Sequence, residues 1–159
     1  MKKQWELEDW KEAGAVIGEN VTAYDSFIDI AFPWLVEIGD DTVLTGATVL
    51  AHDASTHRET GYSKVGLVSI GKRCFLGHGS IVMPGVTIGD DCIVGAGTVV
   101  TKDLPNGTVF AGGRTICNTV DYIRKHKERI SSGSYPVLDD NHWDESVREE
   151  IRKKGGYAK

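Results

Sequence analysis

Aliphatic side chains recur at every sixth position through the middle of the chain. From Ile70 the phase runs unbroken through Leu76, Val82, Ile88, Val94 and Val100, and glycine often follows. Ile38, Leu44 and Leu50 form a shorter run of the same kind. A second slot lies four residues after each aliphatic. It holds Thr42, Thr48, Ala54, Cys74, Ser80, Val86, Cys92, Thr98 and Leu104, nearly all small or β-branched. Strand alternation and the helical period of 3.6 both fail to give a strict six with two distinct slots. A coil of three short strands does give it. Each strand supplies one large and one small side chain to a narrow interior, and coils stack at the strand spacing of ~4.8 Å. The alternation and hairpin signals of a β-sandwich are missing. The pattern predicts an all-β solenoid, a parallel β-helix of hexapeptide repeats, with glycine after the aliphatic turning the corner between faces. Cys74 and Cys92 then fill the small interior slot as inert thiols.

Breaks in the pattern locate the remaining parts. Ile17-Gly18 and Ala23 start it weakly, and Asp29 stands where the next aliphatic is due. The segment Ala31-Phe32-Pro33-Trp34-Leu35 adds residues before Ile38 resumes. Between Leu50 and Ile70 the chain is too long for one step, so residues 56–69 are expected to leave the coil as a loop. Loops that leave a rigid solenoid often carry function. Flanking segments read as short α-helices: Lys2 to Glu12; a helix capped by Thr119 and running to about Ile130; and one capped by Asp144 and running to Lys154. The expected organisation is an N-terminal helical segment at 1–15, the β-helix at 16–113 and a C-terminal helical extension at 114–159.

Composition narrows the function. The chain has 159 residues with a formal charge of −5, and no basic stripe, so nucleic acid is a poor partner. No apolar run reaches the ~18 residues of a membrane span. The first residues turn acidic where a signal peptide would turn apolar. Three cysteines, with no C-x-x-C, fit reduced thiols and a cytoplasmic location.

Five histidines are the candidates for chemistry. His126 sits among charged residues of a predicted helix, and His142 lies in an acidic turn. His52 occupies an outward position of its hexad, beside Asp53 and just before the loop. A neutral imidazole there is suited to taking a proton from an alcohol or amine. His52, His57 and His78 would supply the three ligands of a catalytic zinc, but His57 lies in an irregular loop and no metal is expected. The glycine-rich stretch Gly95-Ala96-Gly97-Thr98-Val99-Val100-Thr101-Lys102 is no Walker loop, though Lys102 on an outer face can meet a phosphate.

Those stretches, from Ser69 to Pro105 with Phe110-Ala111-Gly112-Gly113, resemble the hexapeptide-repeat acyltransferases, which include galactoside, maltose and capsular-polysaccharide O-acetyltransferases. Phe27-Ile28-Asp29-Ile30, Val36-Glu37-Ile38-Gly39-Asp40, Leu50-Ala51-His52-Asp53-Ala54-Ser55 and the Gly155-Gly156-Tyr157 ending are most similar to the polysaccharide-biosynthesis branch. The resemblance implies a left-handed β-helix, a homotrimer with sites between subunits, and acetyl-CoA as co-substrate. It implies His52 as catalytic base, with Asp53 or an acidic residue of the adjoining subunit orienting it. Asp29 and Phe75 are implied on the acceptor side. Ala96, Thr101 and Lys102 match coenzyme A contacts, and Arg114 is left for a basic role there, without the Pro-Ala pair common in the family. The expected activity is acetyl transfer to a hydroxyl of a sugar or polysaccharide acceptor. A sugar N-acetyltransferase, a zinc enzyme of the gamma carbonic anhydrase type, which shares this fold, and a non-catalytic scaffold are the alternatives.

Overall fold

The computed structural model describes residues 5–138 and 145–158. Three parallel sheets are visited in rotation, coil after coil. The first face stacks Val16–Ile17, Val36–Ile38, Val68–Ile70 and Thr87–Ile88. The second stacks Thr22–Tyr24, Val43–Thr45, Phe75–Leu76, Ile93–Val94 and Thr108–Ala111, and the third stacks Phe27–Ile28, Thr48–Val49, Ile81–Val82 and Val99–Val100. Every pairing within these stacks is parallel. The interior is a column of aliphatics, with Ile38, Leu44, Ile70, Leu76, Val82, Ile88, Val94 and Val100 at most 2% exposed. Burying each such side chain stabilises by about 1.5–3 kcal/mol before entropy is counted.

The strict six holds from Ile70 to Val100, after which Leu104, expected in the small slot, instead bridges Ile88 on the first face, and it fails in the first two coils. There the corner between the second and third faces is one residue shorter, so Val49 and not Leu50 points inward, and Ala47 rather than Thr48 takes the small slot. In the first coil Ile28 pairs with Val49 in the same shortened step. Ala54, expected inside, is exposed. Val49→Ala is therefore expected to cost about 2 kcal/mol and Leu50→Ala less than about 1 kcal/mol. Paired urea melts of the two variants check this, and equal losses would contradict the register.

The shortened step also moves the excursion. His52–Asp53 pairs antiparallel with Lys64–Val65, the turn between them holds the helix His57–Thr60, and the Gly66 N–H returns to the Ala51 carbonyl at 3.0 Å. Val68 and Ile70 are already back in the first face, 0% and 2% exposed. The loop expected at 56–69 thus occupies 52–65, and His52 is its first residue. The insert around Phe32 leaves from the same corner one coil earlier, as a 3₁₀ turn at Pro33–Leu35.

Glycine after the aliphatic serves another purpose than the expected corner bend. The left-handed residues of that edge are Asn20, Asp41, Arg73 and Asp91, at φ 55°, 58°, 54° and 57°. Gly39 is needed because a Cβ there would lie 2.8 Å from the Gly71 carbonyl carbon of the next coil. Carboxylates then link the stacked corners: Asp40 accepts the Glu19 N–H at 3.0 Å, and Asp90 accepts the Lys72 N–H at 2.8 Å.

The ends differ from the sequence expectation in detail. The described N-terminal helix is Leu7–Glu12; Trp10 is 4% exposed and its indole N–H donates to the Ile28 carbonyl at 2.9 Å. At the other end Arg114–Asn118 folds back antiparallel on Thr108–Ala111, so position 114 lies within a hairpin of the second face. The chain divides into two compact units, one through Thr119 and one from Val120. Thr119 begins the helix Thr119–Ser131, but its hydroxyl is buried and caps nothing. In the second unit, the helix Glu145–Lys154 carries the expected Lys153–Glu149 and Lys154–Glu150 pairs at 3.6 and 2.6 Å. The cap expected at Asp144 and the turn holding His142 lie outside the described residues.

Candidate active site

Asp29 takes an unusual place. It directly follows Ile28, the last inward residue of its coil, and it is fully buried. A buried carboxylate is costly unless hydrogen bonds replace its water. Here they do. Oδ1 accepts the N–H groups of Ala31 and Phe32 at 2.9 and 3.3 Å. Oδ2 accepts the N–H groups of Ala51 and His52 at 2.9 and 3.1 Å. The same Oδ2 lies 2.5 Å from His52 Nδ1. Burial opposes ionisation, but the bonds from His52, Ala31 and Ala51 prevail and hold the carboxyl below the ordinary aspartate value.

One side chain therefore ties both inserts to the solenoid and also meets the imidazole. A carboxylate at Nδ1 fixes that nitrogen as the proton-bearing one, leaving the Nε2 lone pair to act. The His52 side chain is about one-third exposed, and the Phe32 ring leans on it with centroids 5.3 Å apart. Phe32 in turn meets Trp34 edge-on at 5.6 Å. An oriented imidazole, half shielded by an aromatic wall and open to solvent, can accept a proton from an incoming nucleophile.

Asp53, expected beside the ring, turns elsewhere. It accepts the Ser55 N–H at 2.8 Å, and this bond, assisted by Lys64 and His52 charge, lowers its carboxyl. Asp29, assigned from resemblance to the acceptor side, is the residue that meets His52 Nδ1. The signal in the sequence was an acidic residue in a slot due for an aliphatic.

The other candidates are spread over the solenoid. Phe75 lies on the second face, 43% exposed, between Val43 and Ile93. Ala96 sits at the next corner of the fourth coil, where it presses so close that a Cβ on Gly77 would lie 2.6 Å from its N. Thr101 and Lys102 follow Val100. Because Ile28, Val49, Val82 and Val100 are stacked in register, Thr101 and Lys102 share one edge with Asp29 and His52, two coils beyond His52. At the strand spacing, that is about 10 Å. Lys102 Nζ lies 5.7 Å above the Phe110 ring. Arg114 is exposed at the start of the returning strand. Among the described residues no hydrogen bond, ion pair or ring contact joins Phe75, Ala96, Thr101, Lys102 or Arg114 to His52.

The three histidines of the zinc alternative do not converge. His52 faces Asp29, His57 Nδ1 is 3.2 Å from Ser63 Oγ, and the His78 ring lies over Gly46. Among the described residues no group of three or more His, Cys, Asp or Glu side chains is gathered. Cys74 fills the interior slot as expected; its bond with Cys92 and its burial push the thiol up and keep it protonated. No helix among the described residues is long and apolar enough to cross a membrane.

Comparison with known proteins adds an independent line. A family model described as the hexapeptide repeat of succinyl-transferase matches residues 67–102. A Bacillus subtilis (strain 168) protein named as an acetyltransferase, YvoF, is 40% identical over 86 residues, or 54% of this chain and 47% of YvoF. Protein CapG of Staphylococcus aureus is 41% identical over 85 residues, or 50% of this chain and 49% of CapG. The chain thus spans about half the length of the curated relatives it matches. A galactoside acetyltransferase solved in complex with coenzyme A shares the fold, with a TM-score of 0.59 at 23% identity over 77% of this chain and 76% of that one.

Proposed function

We propose, from the match of residues 67–102 to the hexapeptide repeat of succinyl-transferase and the likeness to a protein named as an acetyltransferase, that the chain transfers an acetyl group from acetyl-CoA to a sugar hydroxyl. The observation that carries this reading is the contact of His52 Nδ1 with buried Asp29, which leaves Nε2 as the lone-pair nitrogen of a side chain about one-third exposed. In the proposed step Nε2 takes the hydroxyl proton as the oxygen attacks the thioester carbonyl carbon. The tetrahedral intermediate then expels the thiolate, and the imidazolium returns the proton to sulfur. Acetyl ester and free coenzyme A leave, with no acyl-enzyme. Asp29 keeps the imidazole in the productive tautomer and offsets its charge, the role an aspartate plays toward histidine in hydrolytic triads.

Coenzyme A is assigned to Ala96, Thr101, Lys102 and Arg114, with Lys102 and Arg114 toward its phosphates. Thr101 and Lys102 lie along the edge that also carries His52, which supports a cofactor laid lengthwise against the coils. The winding is assigned as left-handed and the assembly as a trimer, with His52 at the seam and Phe75 reaching the site from the neighbouring protomer. The galactoside enzyme's complex with coenzyme A supports the donor, and its named substrate supports the sugar acceptor.

The direct test is acetyl-CoA turnover by the purified protein with a panel of glycosides and amino sugars, followed as free thiol. Saturable binding of acetyl-CoA and acceptor-dependent thiol release are expected. A chain that binds no acetyl-CoA would be a scaffold, and turnover that requires bound zinc would favour the metal alternative.

A further inference from the structure

Of the two aromatics beside His52, Phe32 packs against the core, whereas Trp34 does not. Phe32 covers one side of the imidazole, and Trp34 stands two ring contacts from it with 58% of its surface exposed. A large apolar side chain left in water loses the stabilisation that burial gives its neighbours. Trp34 is nevertheless held firmly. Its Cβ lies where a Cβ on Gly14 would come within 3.3 Å, its ring rests on Phe32, and buried Pro33 stiffens the turn between them. The turn itself hangs from Asp29, through the N–H groups of Ala31 and Phe32. The carboxylate that meets the imidazole therefore also anchors the backbone of the turn that carries the indole.

An indole presents a flat apolar face and one polar N–H at its edge. A pyranose presents a matching surface, with a patch of C–H groups on one face and hydroxyls around the rim. We propose that Trp34 is the acceptor platform: a sugar ring lies against the indole while one of its hydroxyls reaches His52 Nε2. The inference rests on the reading of His52 as the base. Phe32 acts as the spacer that keeps platform and base at a fixed separation, so Trp34 selects which rim hydroxyl is acetylated. Stacking of this kind holds ground state and transition state alike, so its contribution is read in the acceptor KM.

Steady-state kinetics of the full chain test it. Acetyl-CoA is used with the methyl glycosides of galactose, glucose and N-acetylglucosamine, and with maltose, for wild type, Trp34→Ala, Trp34→Phe and His52→Ala. Trp34→Ala is expected to raise the acceptor KM at least tenfold, with the acetyl-CoA KM within twofold and kcat within threefold. Trp34→Phe should recover most of the loss. An unchanged acceptor KM in Trp34→Ala, while His52→Ala is inactive, overturns the platform and leaves the base reading standing. Normal turnover by His52→Ala overturns the base reading itself. A raised acetyl-CoA KM, a melting temperature lowered equally in both Trp34 variants without any acceptor effect, or no turnover with any of these sugars also overturns the platform.

Discussion

His52→Ala lowers kcat for acetyl transfer by about 10²–10⁴ while circular dichroism and melting temperature stay close to those of the parent. The imidazole makes one side-chain hydrogen bond, to Asp29, and leans on Phe32. Both contacts cross between neighbouring coils, but without the ring Asp29 still accepts the N–H groups of Ala31, Phe32, Ala51 and residue 52, and the stacked strands and the aliphatic column hold the coils together. The loss should therefore fall on chemistry and spare the fold. Acetyl-CoA affinity, measured by titration, should be unchanged, since the residues assigned to the cofactor lie two coils away. Turnover within a few-fold of the parent would remove His52 from the mechanism.

Asp29→Asn is expected to damage both activity and stability. An amide has one acceptor oxygen and one donor nitrogen, whereas both oxygens of Asp29 accept. Either the Ala31 and Phe32 N–H groups or those of Ala51 and His52 must then face an NH₂. Leaving buried donors unpaired costs about 1–3 kcal/mol each, so a loss of about 2–5 kcal/mol is expected in denaturant melts. If the nitrogen faces His52, the imidazole loses the acceptor that fixes its tautomer, and kcat should fall by about 10²–10³. The pH dependence separates the two roles. The folded carboxyl is held below its ordinary 3.8, so its stabilisation is complete above that value and disappears as pH falls through the folded pKa. Parent and variant should differ most near neutrality and converge below pH 3.8. A constant difference across the acid range would show that the negative charge of Asp29 contributes nothing.

How much of this was legible in the chain depended on the regularity of its corners. From Ile70 to Val100 each corner has the same length, so a six-residue count alone identifies the inward side chains. In the first two coils one corner is a residue shorter, and a strict count then assigns Leu50 and Thr48 to places that Val49 and Ala47 hold. The length of the excursion could still be read, because it is a difference between two well-marked aliphatics. Its ends could not, since they depend on where the hairpin pairs. His52 was legible as an outward imidazole beside an irregular segment. Its partner was not, because Asp29 is distant in sequence and adjacent only through parallel stacking, whereas Asp53 is adjacent in sequence and bonds to its own turn. Phe32 and Trp34 carried only a weak signal, two aromatics in an insert that leaves the coil at the corner the later insert also uses.

That shared corner has a consequence for descent. Both inserts hang outside the aliphatic column, and neither contributes a rung to any of the three sheets. Length can therefore change at the far end of either appendage, past the residues bound to Asp29, without renegotiating the stack beneath.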